Sequence, residues 1–251
     1  MSVIGQSGRA LSREAIWHDV ECGSYAADLA AWTELAVAAS GPVLELGAGT
    51  GRVSLYLARR GVEVEALDVS SELLAELAAR AAAARLVIAT TEADGRAIPP
   101  LRQFAAVIAP MQFVHLLGGV DGRALMLRCV RAQLAGGGLF AAALLAQRAR
   151  PVPEIGGLVP DVVELSDWIY SSLPLELVEA DDGVELRRLR QLVSPEGVLS
   201  EETNVVRLDH VAPHELEIEA EAAGFEVRSR IDVPPTEDHV GSVICVLEAG
   251  S

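Results

Sequence analysis

A chain of 251 residues, 51% hydrophobic and carrying a formal net charge of −16, has the length of one large α/β domain or of one domain with an insertion. It contains no lysine, so all 20 basic residues are arginine, which excludes Schiff-base chemistry and a Walker-type phosphate loop, both of which need a lysine amine. The acidic excess disfavours sequence-independent binding to nucleic acid or to an anionic membrane and suits a small neutral or cationic ligand.

No apolar run approaches the roughly 18 residues of a membrane span. The first twelve residues lack the basic start and apolar stretch of a secretory signal, so the cytoplasm is the expected compartment. Cys22, Cys129 and Cys245 are too dispersed for a disulfide framework and are expected to be reduced and buried. No metal is expected: His210 and His214 have a plausible spacing, but Pro213 between them marks a helix start.

In chain order, residues 12–39 have helical periodicity, with Ser12 as N-cap and Gly23 dividing them into two helices. Short apolar runs then alternate with amphipathic stretches, at 43–46, 53–60, 62–67, 70–84, 86–89, 104–109, 122–134 and 139–145. This β-α-β-α series predicts an α/β fold with a mostly parallel sheet covered by helices.

The rhythm breaks over 150–210, where Pro151, Pro153 and Pro160 precede two turn signals, Asp181-Asp182-Gly183 and Ser194-Pro195-Glu196-Gly197. These predict an antiparallel β insertion. A tight second hairpin would set Val193 opposite Val198 and Arg190 opposite Glu201. Arg187, Arg188 and Arg190 read as a solvated strand with acidic neighbours rather than a substrate clamp. A helix over 213–223 ended by Gly224, a strand over 225–231 and a final strand over 240–248 complete the chain.

The turn Glu45-Leu46-Gly47-Ala48-Gly49-Thr50-Gly51, between the first strand of the series and its helix, lets a ligand approach the backbone closely. Its third glycine falls one position early for a dinucleotide loop, and Arg52 stands where that loop wants a small residue. Glu45 would repel a pyrophosphate and attract a ligand bearing ammonium and sulfonium charges.

This stretch resembles the first motif of the class I S-adenosylmethionine (SAM)-dependent methyltransferases, a strand with an acidic residue followed by Gly-x-Gly-x-Gly. The resemblance implies a Rossmann-like, seven-stranded sheet with helices on both faces and SAM as cofactor. Asp68, followed by Val69, looks like the family's ribose-binding acid, a role a carboxylate can fill by accepting two hydroxyl donors. Ala93-Asp94-Gly95 follows the third strand, where the family places an acid for the adenine amine. The fourth-strand motif runs from Phe104 through Pro110, Met111 and Gln112 to His115 and Leu117. The implied cofactor set is therefore Tyr25, Glu45, Gly47, Ala48, Gly49, Gly51, Asp68, Val69, Asp94, Gly95, Pro110, Met111 and Gln112.

The family's base-amine methylating members carry Asn or Asp followed by Pro-Pro and an aromatic at the fourth strand. Here Ala109-Pro110-Met111-Gln112 stands instead, and no nucleophilic cysteine lies nearby for carbon-5 chemistry. The expected acceptor is thus a small molecule methylated on nitrogen or oxygen. His115 is the candidate base, with a packing histidine as the alternative. Trp17, Trp168 and Tyr170 are candidates for the acceptor wall, and Tyr25 with Trp17 for a lid.

The expected organisation is an N-terminal helical lid over 1–40, a SAM-binding core over 41–150 and 212–251, and an acceptor-side cap over 151–211. The resemblance allows a homodimer. A catalytically silent SAM-binding module stabilising a partner is the competing reading, opposed by the coexistence of three glycines and two acids in one site.

Overall fold

The structure, a computed structural model, describes residues 3–4, 10–145, 159–180, 183–236 and 239–250. Strands β1 (Val3–Ile4) and β2 (Ala10–Leu11) pair antiparallel ahead of α1 (Arg13–Cys22). Ser12 caps α1 by accepting a hydrogen bond from the Ala15 amide at 3.1 Å, which satisfies one of the amides a helix start leaves unpaired. After Gly23, α2 (Leu29–Ala39) follows, ending at Ser40 in the left-handed conformation.

The αβ alternation then runs β3 (Val43–Leu46), α3 (Arg52–Ala58), β4 (Val64–Asp68), α4 (Ser71–Ala83), β5 (Ala89–Glu92), β6 (Phe104–Ala109), a 3-10 turn (Phe113–Leu116), α5 (Gly119–Gln133) and β7 (Leu134–Leu145). An antiparallel meander of β8 (Asp161–Leu165), β9 (Trp168–Ala180), β10 (Gly183–Val193) and β11 (Leu199–Asp209) interrupts it. Helix α6 (Pro213–Ala222), β12 (Phe225–Val233) and β13 (Ser242–Ala249) complete the chain.

The main sheet has seven strands in the order β12-β13-β7-β6-β3-β4-β5. Pairs β3-β4, β4-β5, β3-β6 and β6-β7 are parallel, and β13 runs antiparallel to both of its neighbours. Both faces of the central strands are buried. Leu44, Leu46, Val107 and Phe140 join α5 and α6 on one side, while Val43, Ala106 and Ile108 join α2 and α3 through Trp32 and Leu57 on the other. This two-residue alternation between faces explains why β3 is uniformly apolar apart from Glu45. The chain leaves β3 toward β4 and β5, then returns to add β6 and β7 on the opposite side. That reversal opens a crevice at the carboxyl ends of β3 and β6.

Several boundaries differ from expectation. The third strand of the series lies at 89–92 rather than 86–89 and is an exposed edge, so the apolar run before it marks the approach to the strand, not the strand. The second hairpin of the insertion is one residue out of the expected register. Gly197 is left-handed (φ 81°), its amide bonds Ser194 O at 2.8 Å, and the Ser194 amide bonds Val198 O at 2.9 Å. This bulged turn absorbs one extra residue, so Val193 faces Leu199 and Arg190 faces Glu202.

Arg187, with 40% of its side chain exposed, pairs with Glu176 and Glu185 as a solvated strand would. Arg188 and Arg190 do not fit that expectation. They are mostly buried and converge on Glu21 of α1, Arg190 through 2.8 and 2.9 Å bonds, while Arg188 also holds Asp161 and Ser172. The insertion is thereby fastened to α1. Pro151, Pro153 and the Asp181-Asp182 turn lie outside the described residues. Of the three free cysteines, Cys245 is buried as expected, whereas Cys22 and Cys129 are only partly so. Among the described residues no helix is long and apolar enough to cross a membrane.

Candidate cofactor and acceptor site

The glycine-rich turn sits at the mouth of the crevice. Gly47 (φ 65°) and Gly49 (φ 55°) are left-handed, a conformation that disfavours side chains. Each glycine also reserves space for a neighbour. A Cβ at Gly47 would fall 2.6 Å from the Phe113 ring and one at Gly49 would fall 2.2 Å from His18 Nε2. Gly95 makes the same allowance, 2.5 Å from the far edge of the Phe113 ring, so this ring spans the gap between the two loops. Gly51 serves packing instead, because its Cβ would meet Leu77 and Leu55, where α3 rests on α4.

Asp68, at the end of β4, accepts the Gly49 amide on Oδ2 at 2.8 Å and the Ser70 amide on Oδ1 at 2.9 Å. Each oxygen keeps a lone pair for a further donor. Val69 follows it and is exposed, while Ala48 is buried behind the turn. Glu45 lies beneath the turn, fully buried, with its carboxylate accepting the Ser54 hydroxyl. Burial pushes the Glu45 carboxyl up to about 7 against the opposing pull of Ser54 and Arg52.

Because Glu45 is protonated more readily in the fold than in the unfolded chain, it stabilises fully below about pH 4.5, and that contribution is lost as pH rises through about 7. Glu45→Gln mimics the protonated side chain. The variant is therefore expected to resemble the parent in urea denaturation at pH 5 and to gain relative to it at pH 8, by on the order of 3 kcal/mol. An equal difference at both pH values would contradict the buried-acid account.

Arg52 is not free to meet a phosphate. Its guanidinium clamps Asp28 through 2.6 and 2.8 Å bonds, donates to Tyr25 O at 2.9 Å and lies over the Tyr25 ring. Tyr25 is buried and its ring also meets His239, at 4.9 Å between centroids. Its contacts thus run toward α3 and the start of β13.

On the third-strand side, both Asp94 oxygens are engaged by Arg96, with Oδ2 accepting Nη2 at 2.6 Å. Pro110 is buried, Met111 adopts φ 56°, and the Gln112 carbonyl caps the 3-10 turn by accepting the His115 amide.

His115 is buried, and backbone groups take both of its ring nitrogens. Nδ1 donates to Asp209 O at 2.9 Å, and Nε2 accepts from the Leu145 amide at 3.2 Å. Burial lowers its basicity, consistent with a neutral ring whose lone pair is already used. The geometry is that of the packing alternative: one imidazole ties the strand that leaves for the insertion, β7, to the strand that returns from it, β11. His115→Ala is expected to strand both backbone groups at a cost of about 2–4 kcal/mol. Differential scanning calorimetry would read this as a fall in Tm. A variant with unchanged Tm but lost turnover would restore the base assignment.

The three aromatic acceptor candidates come together. Trp17 meets Tyr170 edge-on at 5.5 Å between centroids, with Trp168 packed alongside and Ile16 and Val20 behind. Among the described residues the buried Trp17 indole N–H has no hydrogen-bond partner, a costly state that a ligand oxygen would relieve. The Arg190 guanidinium lies over this ring, 5.2 Å from its centroid.

Residues not singled out from sequence also reach the turn. Thr50 Oγ1 donates to Asp19 at 2.6 Å and lies 3.2 Å from His18 Nδ1, and Arg80 of α4 clamps the same aspartate. Helix α1 is therefore docked on the glycine turn by one face and on the insertion by another. The available signal was the polar pair His18-Asp19 set between Trp17 and Val20.

This sheet order, with one reversed strand and a glycine turn ahead of an acid-terminated strand, defines a Rossmann-like fold of the class I methyltransferase type. Residues 43–138, from β3 through the start of β7, match the family model described as a methyltransferase domain. An uncharacterized protein of Mycobacterium tuberculosis is 43% identical over 68 residues, 27% of this chain. The match spans only 25% of the length of that relative.

Over nearly the whole chain, the structure is similar to three solved methyltransferases. The sugar N-methyltransferase KedS8 from Streptoalloteichus sp. has a TM-score of 0.74 at 17% identity, covering 100% of this chain and 99% of that one. SAM-bound CalS10, an amino pentose methyltransferase from Micromonospora echinaspora, has 0.71 at 19%, covering 96% and 98%. The CcbJ methyltransferase of Streptomyces caelestis has 0.68 at 24%, covering 91% and 92%. These likenesses carry the fold.

Proposed function

We propose that this protein transfers the methyl group of SAM to a nitrogen or oxygen of a small polar acceptor, with amino sugars the first class to assay. The observation that carries the reading is the cradle itself. Left-handed Gly47 and Gly49 keep the turn bare of side chains where the Phe113 ring and His18 approach it, Asp68 retains acceptor capacity beside it, Glu45 sits below, and the neighbouring Arg52 is held by Asp28 rather than free for a phosphate. That set fits a cofactor bearing hydroxyls and positive charge. When bound, SAM supplies an already activated methyl group, so the protein's work is to align the acceptor, exclude water and accept a proton.

Asp68, Gly47 and Gly49 would hold the cofactor, with Val69, Gly95 and the Pro110-Met111-Gln112 segment around it. Residues 1–40 act as the lid, 41–150 with 212–251 as the cofactor core, and 151–211 as the cap. Trp17, Trp168 and Tyr170 form the acceptor wall, with the unpartnered indole N–H available to an acceptor oxygen. The sugar and amino pentose methyltransferases among the similar structures support this choice of acceptor class, and the net charge of −16 supports a neutral or cationic one.

The test is equilibrium dialysis against labelled SAM and NADH, followed by a screen of amino sugars, small amines and phenols for S-adenosylhomocysteine formation. Retention of NADH rather than SAM would defeat the proposal. Retention of SAM without product from any acceptor would favour the silent binding module.

A further inference from the structure

We propose that His18, on α1, is the residue that accepts the acceptor's proton during methyl transfer; this rests on the methyltransferase reading above. The hydrogen-bond inventory around Thr50 fixes the ring. Thr50 has one hydroxyl proton and gives it to Asp19 Oδ1 at 2.6 Å. Its 3.2 Å contact with His18 Nδ1 then requires that nitrogen to carry a proton and donate. The Nε2 lone pair is left over, and it faces the turn as the nearest atom to any side chain placed at Gly49. Among the described residues no hydrogen bond occupies that lone pair, and the side chain is 25% exposed.

The setting suits a base. Asp19 Oδ1 lies 4.0 Å from Nδ1, and its carboxylate is held at about 2: burial would raise it, but the neighbouring His18 and the bonds from Arg80 and Thr50 outweigh that. It therefore stays ionised behind the ring, the arrangement in which a base is oriented by a third group. Helix α1 carries His18 on the side docked on the glycine turn and Trp17, one residue earlier, against Tyr170 of the insertion. His115, by contrast, has no lone pair to offer.

In the transfer, the acceptor's lone pair forms the bond to the methyl carbon and the carbon–sulfur pair stays on sulfur. The proton displaced from the acceptor nitrogen or oxygen passes to His18 Nε2, and solvent later removes it.

Two measurements test this. Long-range nitrogen–proton NMR of the histidine rings in the S-adenosylhomocysteine complex, with the His18 signal identified by its loss in His18→Asn, should show Nδ1 protonated and Nε2 bare at pH 8. An Nε2–H tautomer would overturn the assignment. Single-turnover transfer to glucosamine and its 3- and 4-amino isomers should be about 10²- to 10⁴-fold slower in His18→Asn and in His18→Gln. The calorimetric Kd for SAM should stay within about threefold of the parent in both variants. A raised Kd with the saturated rate retained would make His18 a cofactor contact and refute the proposal. If the parent itself forms no product with these probes, the acceptor reading fails, and the tautomer measured in the same sample still decides for or against His18.

Discussion

Asp68→Ala is expected to weaken SAM binding by roughly 10²- to 10³-fold, because it removes the acceptor for two hydroxyl donors, and each bond to a charged partner contributes about 1.5–3 kcal/mol. The same change withdraws the partner of the Gly49 amide, which the Asp68 carboxylate holds at 2.8 Å in a buried setting, so the turn loosens as well. Asp68→Asn separates the two effects. Its amide oxygen can still accept one backbone amide, so the variant should recover much of the stability while remaining deficient in binding. Calorimetric titration of SAM beside thermal denaturation of both variants reads the two quantities apart. If Asp68→Ala binds SAM as the parent does, the carboxylate serves the turn alone and the cofactor lies elsewhere.

The legibility of this fold in its sequence followed the range of the interactions. The alternation of strands and helices, the Ser12 cap and the Gly224 stop all depend on neighbours within a few residues, and they lie where periodicity places them. The insertion was readable as antiparallel from its turn residues, but not in register, since one left-handed bulge residue at Gly197 displaces every pair beyond it. Strand β5 escaped because an exposed edge need not be apolar.

The site divides in the same way. Glu45, Gly47, Gly49 and Asp68 announce themselves by local spacing, whereas His18 matters only because the fold brings it to Thr50, 32 residues away. Periodicity marks Trp17 and Tyr170 as apolar but cannot say that they touch, since 153 residues separate them. His115 had the right sequence position for a base. What the position did not reveal was that two backbone groups, Asp209 O and the Leu145 amide, converge on it from the two roots of the insertion.

Arg52→Met is expected to destabilise the protein by about 3–5 kcal/mol, the cost of removing one partner from a buried ion pair. Arg52 retains only 9% of its side-chain exposure and Asp28 only 2%, so the carboxylate left behind could not be rehydrated. Asp28 occupies the N-cap position of α2 yet makes no capping bond to the helix. Its Oδ2 accepts the Trp32 indole N–H at 2.8 Å, and its two oxygens accept the Arg52 fork. Without the guanidinium, the Trp32 contact alone cannot balance the charge. The loss would spread to Glu45, since Arg52 is one of the groups that holds its carboxyl down. Arg52→Lys should fail to rescue, because a single ammonium cannot reproduce two parallel bonds and the donation to Tyr25 O. Asp28→Asn combined with Arg52→Met should recover part of the loss by removing the stranded charge. Urea denaturation of the two single variants and the double variant yields the coupling directly. Additive losses would show that this pair does not hold α2 against the start of α3, and the tolerance of Arg52 behind the glycine turn would need another cause.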